Sequence, residues 1–144
     1  MDSRGAILNL IYSYSKHVDS GDFVAVGELF RHGRYEIPSL GDLVLPGTAI
    51  GTFFTERLRR YDDGTPRTTH INPNVILHID DEERKATSWT SILVFQNVED
   101  EIKCIFSGWY DDEFEQVEGE WIWRRRVTGF RFAGDMSHHL LAVE

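Results

Sequence analysis

The spacing of apolar residues changes from helical to strand-like at about residue 70, and this change constrains the fold strongly. In the first part of the chain, apolar residues recur every three or four positions. This spacing predicts amphipathic helices over residues 3–19, 23–30 and roughly 49–60. Asp22 and Thr48 stand where they can cap the second and third of these helices.

From residue 70 onward, runs of strand-forming residues are separated by short polar turns. The predicted strands span about 71–79, 84–97, 102–116 and 120–133. The segment 36–48 contains prolines and glycines and is predicted to be a loop. Helices followed by an antiparallel sheet are typical of the α+β class, so we predict one α+β domain over residues 1–144.

The length and composition of the chain narrow the class of protein. With 144 residues, the chain is long enough for one hydrophobic core and too short for two domains. Its net charge of −9 argues against nucleic acid and against an anionic membrane as partners. No apolar run reaches membrane-spanning length, and the single cysteine, Cys104, cannot form an internal disulfide. We therefore expect a soluble cytoplasmic protein.

A two-residue turn at Glu118-Gly119 would pair the last two strands closely. In that register, three acidic residues face three arginines: Glu113–Arg124, Asp112–Arg125 and Asp111–Arg126. Opposite charges in facing positions stabilise a ladder, so this pairing explains the basic cluster without an external partner. Asp112 and Arg125 would form a partly buried ion pair that either orients a polar substrate or simply links the strands.

A similar turn at Glu99-Asp100 would set the register of the preceding pair of strands. Trp89 then faces Tyr110, and the alternation of side chains sorts the strands into two faces. One face is aromatic with a few polar groups, as ligand pockets usually are. The residues predicted to bind substrate there are Trp89, Tyr110, Phe95, Asn72, Asp112 and Arg125. The other face is too apolar to lie in solvent, which predicts a subunit interface.

Several motifs resemble, in the same order, those of SnoaL-like proteins in the nuclear-transport-factor-2-like superfamily. The first helix ends in Val18-Asp19-Ser20-Gly21-Asp22-Phe23, an aspartate followed by Gly-Asp and an aromatic residue. The strand start His70-Ile71-Asn72, the segment Gly108-Trp109-Tyr110-Asp111-Asp112 and the pair Arg126-Val127 extend the resemblance over nearly the whole chain. The resemblance implies a cone-shaped α+β barrel, with three helices against a strongly curved, mainly antiparallel sheet around a pocket. It also implies a homodimer or homotrimer.

Within this superfamily, the chain is similar to scytalone dehydratase, bile acid 7α-dehydratase and hexachlorocyclohexane dehydrochlorinase. These enzymes carry a helix-end aspartate and a strand histidine as a catalytic dyad, and Asp19 and His70 match those positions. Tyr14 matches a tyrosine five residues before the aspartate of the bile acid enzyme. The resemblance implies His70 as general base, Asp19 as its orienting carboxylate, and Tyr14 as an acid or oxyanion donor. The related enzymes also carry a third group, an acidic residue or a histidine, in the middle strand. This chain has no counterpart of it, because Ser91-Ile92-Leu93 stands at that place.

The residue types of this pair suit proton transfer near neutral pH. A carboxylate bound to one imidazole nitrogen fixes the tautomer and raises the basicity of the other nitrogen. Such a base can remove a proton next to a carbonyl, and no metal ion or organic cofactor is required. The alternative is that each of the three residues has a structural role. Asp19 would then bond into the turn that follows the helix, His70 would bond to a backbone carbonyl, and Tyr14 would pack in the core.

We therefore predict a cofactor-free lyase or isomerase that acts on a small hydrophobic, cyclic molecule in a buried pocket. The alternative is a non-catalytic small-molecule-binding or oligomerisation module of the same fold, which the missing third group favours. The tail over residues 136–144 is partly apolar and could fold over the pocket mouth. The adjacent histidines His138 and His139 are not expected to bind a metal, because neighbouring strand residues point to opposite faces.

Overall fold

Three helices pack on one face of a curved, seven-stranded sheet in the computed structural model, which describes residues 2–141. The helices are α1 (Ser3–Asp19), α2 (Phe23–Leu29) and α3 (Ala49–Arg57). The strands are β1 (Arg34–Ile37), β2 (Leu43–Pro46), β3 (Thr68–Ile71), β4 (Val75–Asp80), β5 (Lys85–Val98), β6 (Glu101–Val117) and β7 (Glu120–Ala133). Within the described residues, no helix combines the length and apolar character needed to cross a membrane.

Helix α1 ends at Asp19, whose carboxylate lies within reach of the sheet. Asp2 caps α1, since its carboxylate accepts a hydrogen bond from the backbone N–H of Gly5 at 2.7 Å. The buried side chains of α1 recur every three or four residues, so one face of the helix packs on the sheet. The helix stops at Asp19, and Gly21 adopts a φ of 77° that suits glycine.

The capping predictions for the other helices have different outcomes. Asp22 caps α2 as predicted and accepts from the backbone N–H of Ala25 at 3.1 Å. Thr48 precedes α3 but makes no side-chain capping bond. Its ψ of 1° is not the extended conformation in which an N-cap hydroxyl reaches the first turn.

The sheet is mixed and is not closed into a full barrel. Its strand order is β2-β1-β7-β6-β5-β3, and β4 pairs with the other end of β5. The β1–β7 pair is parallel, whereas the other strand pairs are antiparallel. The predicted α+β fold is therefore confirmed.

Both predicted hairpin turns are present. Glu118 and Gly119 have φ values of 52° and 82°, and Glu99 and Asp100 have values of 55° and 61°. Positive φ at both central residues is the geometry that matches the twist of a two-residue hairpin. Near each turn, the pairs follow the predicted register, with Val117 facing Glu120 and Val98 facing Glu101.

A β-bulge changes the register between β6 and β7 beyond the turn. Phe114 faces Trp123, but the next pair is Glu113 with Arg125, so Arg124 is the extra residue. The predicted Asp112–Arg125 pairing is therefore wrong, and Asp112 faces Arg126 instead. One inserted residue moves the following side chains to the opposite face, which is why Arg126 rather than Arg125 is buried.

A second bulge separates the two halves of the β5–β6 ladder. Phe95 faces Cys104, but Val94 faces Phe106, so Ile105 is the extra residue. The predicted Trp89–Tyr110 pairing is wrong for this reason, and Trp89 faces Asp111. The buried positions of β5 between its start and this bulge include Ala86, Ser88, Thr90, Ile92 and Val94, whereas Trp89 is half-buried.

The segment predicted as a loop over residues 36–48 contains most of a short hairpin, so that prediction is wrong. Strands β1 and β2 are joined by a 3-10 turn at Pro38–Leu40. Each strand has four residues, so alternation within it gives only a weak signal in the sequence. The parallel pairing of β1 with β7 brings Tyr35 into the core.

Candidate active site

A cavity of about 290 Å³ lies between the helices and the sheet. Its apolar lining includes Val18, Ile37, Phe54, Leu58, Val94, Ile105, Phe106 and Met136. Its polar side chains are His70, Tyr35, Tyr110, Thr128, Ser39 and His139. Ligand pockets start at roughly 300 Å³, so this cavity suits a small molecule of one or two rings.

Asp19 and His70, the residues predicted as a pair, are in direct contact. Oδ1 of Asp19 lies 2.6 Å from Nδ1 of His70, and the histidine side chain is 8% exposed. Because Nδ1 is bonded to Asp19, Nε2 is the ring nitrogen that remains to interact with a molecule in the cavity, which His70 lines. The geometry is that of an imidazole whose orientation and tautomer are set by a carboxylate.

The carboxylate of Asp19 is itself held by two further hydrogen bonds. The hydroxyl of Thr68 donates to Oδ1 and the backbone N–H of His70 donates to Oδ2, both at 2.8 Å. These bonds join the end of α1 to strand β3. They fix the carboxylate relative to the imidazole ring, so the pair does not depend on a single contact.

Three tyrosines extend the polar part of the site. The hydroxyls of Tyr14 and Tyr35 are 3.0 Å apart, and the hydroxyl of Thr128 lies 2.9 Å from that of Tyr35. Tyr35 and Tyr110 line the cavity, whereas Tyr14 lies behind them with its ring edge-on to His70. Burial raises the pKa of all three phenols, so they are neutral hydrogen-bond donors at physiological pH.

A buried ion pair lies behind the tyrosines. Arg126 donates from Nε and Nη2 to the two oxygens of Asp112 at 2.8 and 2.9 Å, and both side chains are fully buried. The indole N–H of Trp123 also donates to Asp112, at 3.1 Å. Burial acts to lower the pKa of Arg126, but the adjacent Asp112 carboxylate raises it, so the guanidinium stays charged. It lies 3.5 Å from the ring centroid of Tyr110 and places a positive charge beside the tyrosines.

Arg125 was predicted to bind substrate, but it takes part in another contact. Its guanidinium bonds to Glu36 and approaches Glu113 at 3.5 Å. Together with Trp89 and Asp112 it lines a second pocket, which shares no lining residue with the cavity that contains His70. The bulge at Arg124 accounts for this placement.

Trp89, Phe95 and Asn72 also lie outside the cavity lining, so their predicted positions are corrected. His70 faces Val94 across β3 and β5 and both line the cavity, so the next residue, Phe95, points to the other side of the sheet. Asn72 accepts a hydrogen bond from the hydroxyl of Ser15 at 2.8 Å and thereby links α1 to the sheet. Of the predicted substrate-binding residues, Tyr110 lines the cavity, and Asp112 supports it from behind.

The C-terminal segment lies against the cavity. Met136, His139 and Leu140 contribute to the lining. Leu140 forms an isolated β-bridge with Leu58, which follows α3. Of the tail predicted to fold over the pocket mouth (residues 136–144), residues 142–144 lie outside the described residues.

Sequence reasoning missed four polar residues of the cavity, of which Tyr35 and His139 have aromatic side chains; the other two are Ser39 and Thr128. The alternation of Arg34-Tyr35-Glu36-Ile37 is a weak strand signal that could have drawn attention to Tyr35. No pattern in the tail indicates His139, because its position depends on contacts with distant residues. In the described part of the chain, no three His, Cys, Asp or Glu side chains are grouped so as to hold a metal ion.

Residues 1–127 match the SnoaL-like domain family. The chain belongs to this family. No curated protein matches this SnoaL-like domain. Solved structures share its fold, among them an NTF2-like protein with a cystatin-like fold from Novosphingobium aromaticivorans (21% identity, TM-score 0.72, covering 88% of this chain and 80% of that one).

Two further structures from the same organism show how widely this SnoaL-like fold is used. One is a proposed scytalone dehydratase (21% identity, TM-score 0.68, covering 92% of this chain and 86% of that one). The other is the β subunit of a proposed aromatic-ring-hydroxylating dioxygenase (14% identity, TM-score 0.70, covering 92% and 91%). At these identities the similarity establishes the fold alone.

Proposed function

We propose that this SnoaL-like domain is a cofactor-free lyase or isomerase in which His70 is the general base. The observation that supports this proposal most directly is the 2.6 Å contact between Asp19 and His70 at the wall of a cavity. The contact leaves one imidazole nitrogen to accept a proton, and the carboxylate stabilises the imidazolium that forms. Such a pair typically accelerates proton transfer by on the order of 10²–10⁴.

The substrate proposed for this base is a ketone. His70 removes a proton from the carbon next to the carbonyl, and the electron pair left behind moves onto the carbonyl oxygen. Tyr35 and Tyr110 supply hydroxyl donors in the same cavity, which can stabilise the enolate oxygen. The Arg126 guanidinium beside the Tyr110 ring adds a positive charge that favours this negative oxygen. Tyr14 is buried behind the cavity, so its proposed role is to orient Tyr35 through their hydrogen bond.

The fate of the enolate decides the reaction class. If a hydroxyl group leaves from the next carbon, the proton held by His70 completes a molecule of water and the reaction is a dehydration. If the proton returns to a different carbon, the reaction is an isomerisation. The mostly apolar lining and the cavity volume of about 290 Å³ support a small, cyclic, hydrophobic substrate for either outcome.

Two probe reactions test this proposal. The first is exchange of the α-protons of 1-tetralone in D2O, followed by NMR, which requires only the base and the enolate stabilisation. The second is dehydration of 3-hydroxy-1-tetralone, whose product, 1-naphthol, is detected by its fluorescence. We expect His70→Gln to lower both rates by on the order of 10²–10⁴, because the residue that accepts the proton is lost.

His78→Gln is the matched control, since His78 is an exposed strand histidine on β4. It should leave both rates unchanged. Asp19→Asn should slow both reactions as well, because the amide cannot stabilise the imidazolium as a carboxylate does. Full activity of a folded His70→Gln protein would refute His70 as the base.

A non-catalytic binding module is the second candidate function. The observation in its favour is that Asp19 also bonds to Thr68 and to the backbone of His70, so the same contacts could serve only to join α1 to β3. In that case 1-tetralone should raise the melting temperature of the protein while its α-protons exchange at the rate seen without protein.

We also propose that the protein is a homodimer or homotrimer. Large apolar side chains remain exposed on the sheet strands; they include Ile76, Ile102 and Phe132, which are 53–75% exposed. Apolar surface of this kind favours association between subunits. Light scattering coupled to size-exclusion chromatography gives the molar mass directly, and a monomer at micromolar concentration would contradict this proposal.

A further inference from the structure

His139 is a buried imidazole on the wall of the same cavity. Its exposed fraction is 7%, and its Nδ1 has no hydrogen-bond partner among residues 2–141. It also lies beyond residues 1–127, which match the family. His139 lines the cavity together with His70, so its ring borders the space that a substrate would occupy. His139 is therefore a candidate for contact with the substrate.

Contacts with distant residues hold the backbone on both sides of His139. Tyr61 and Gln96 donate to the carbonyl of His138 at 2.6 and 3.1 Å. The backbone N–H of Arg59 donates to the carbonyl of His139, and that of Leu141 donates to Arg57, both at 2.8 Å. The imidazole is thus presented to the cavity by a fixed segment, although it lies near the end of the described chain.

The ring of His139 is neutral at physiological pH. Burial, and then the nearby imidazole of His70, lower its pKa to about 4, while the carboxylate of Asp19 acts in the opposite direction. A neutral imidazole has one N–H donor and one acceptor nitrogen. It can therefore donate a hydrogen bond to a substrate oxygen without adding a second positive charge beside a protonated His70.

We propose that His139 is a further catalytic residue that donates a hydrogen bond to the hydroxyl oxygen leaving the substrate. This inference rests on the proposed function and narrows its substrate to a β-hydroxy ketone. His70 takes the α-proton, the electrons of the C–H bond form the carbon–carbon double bond, and the C–O bond breaks. His70 then returns its proton to the departing oxygen to give water. His139 stays neutral throughout and stabilises the negative charge that develops on that oxygen.

The two probe reactions separate this role from that of His70. Exchange of the α-protons of 1-tetralone involves no leaving group, whereas dehydration of 3-hydroxy-1-tetralone does. We expect His139→Leu to slow the dehydration by on the order of 100-fold and to change the exchange rate less than threefold. His139→Gln keeps an N–H donor and should recover part of the lost dehydration rate.

His138→Leu is the matched control, because His138 is adjacent and its side chain is 44% exposed beside Asp135. It should leave both rates unchanged, and circular dichroism should show the same fold for all variants. An unchanged dehydration rate in His139→Leu overturns this inference, as does an equal loss of exchange and dehydration, which would indicate a structural role. If the unmodified protein exchanges 1-tetralone no faster than buffer, the proposed function itself fails, and this inference fails with it.

Discussion

The buried Asp112–Arg126 pair yields the sharpest test of the structure, because an unbulged ladder would place Arg125 opposite Asp112. In the structure, both members of the Asp112–Arg126 pair are fully buried and joined by two hydrogen bonds. Arg126→Met removes the cation and leaves the Asp112 carboxylate buried, with Trp123 and Ser88 as its remaining hydrogen-bond donors. Breaking a buried pair in this way costs about 3–5 kcal/mol of unfolding free energy.

The control is Arg125→Met, the same change at the next residue. Arg125 is 37% exposed and pairs with Glu36 and Glu113, so its loss should cost no more than about 1 kcal/mol. For a domain of this size, each kcal/mol corresponds to a few degrees, so the melting temperature of Arg126→Met should fall by roughly 10–15 °C. Urea denaturation followed by tryptophan fluorescence measures both free energies.

A double variant separates the pair from the packing of either side chain. Asp112→Leu combined with Arg126→Met removes both charges and should be more stable than Arg126→Met alone, because no unpaired charge stays buried. If Arg125→Met destabilises the protein more than Arg126→Met does, the bulge at Arg124 and the register derived from it are refuted.

Two further predictions concern the cavity. Tyr35→Phe removes the hydroxyl that bonds to Tyr14 and Thr128, so dehydration of 3-hydroxy-1-tetralone should slow by on the order of 100-fold. The same change at the exposed Tyr12 is the control and should have no effect. Equal rates in the two variants would argue against Tyr35 as an oxyanion donor. The second prediction concerns pH, because the pKa of His139 is about 4 in the folded protein against an ordinary value near 6.5. As pH falls, this histidine is protonated in the unfolded chain before it is protonated in the folded protein. The free energy of unfolding therefore decreases as pH drops from about 6.5 towards 4. At pH 5 the loss from this residue is about 2 kcal/mol, and urea denaturation at pH 7 and pH 5 should show a smaller difference for His139→Leu than for the unmodified protein.

The elements of this fold could be predicted where a pattern repeats over enough residues. The face of α1 appears as apolar residues at helical spacing, and the hairpin turns appear as short polar pairs between long strands. The Asp19–His70 contact was expected from the resemblance, and the helix end and the start of the strand meet in the structure.

The assignment of side chains to the cavity could not be predicted as well. Trp89 and Arg125 were assigned to it by strict alternation, and the bulges at Ile105 and Arg124 reversed both assignments. Tyr35 was missed because its strand has only four residues and pairs with β7, some ninety residues further along the chain.

The sequence by itself determined the class of fold and the order of its elements, because both follow from periodicity and residue types along consecutive residues. Its resemblance to SnoaL-like proteins indicated the helix-end aspartate and the strand histidine that meet at the cavity. Tertiary structure decided which side chains face the cavity, how Arg126 is buried, and where His139 lies. A single extra residue in a ladder inverts the faces, and a chain end is placed by distant partners, so neither outcome follows from local pattern.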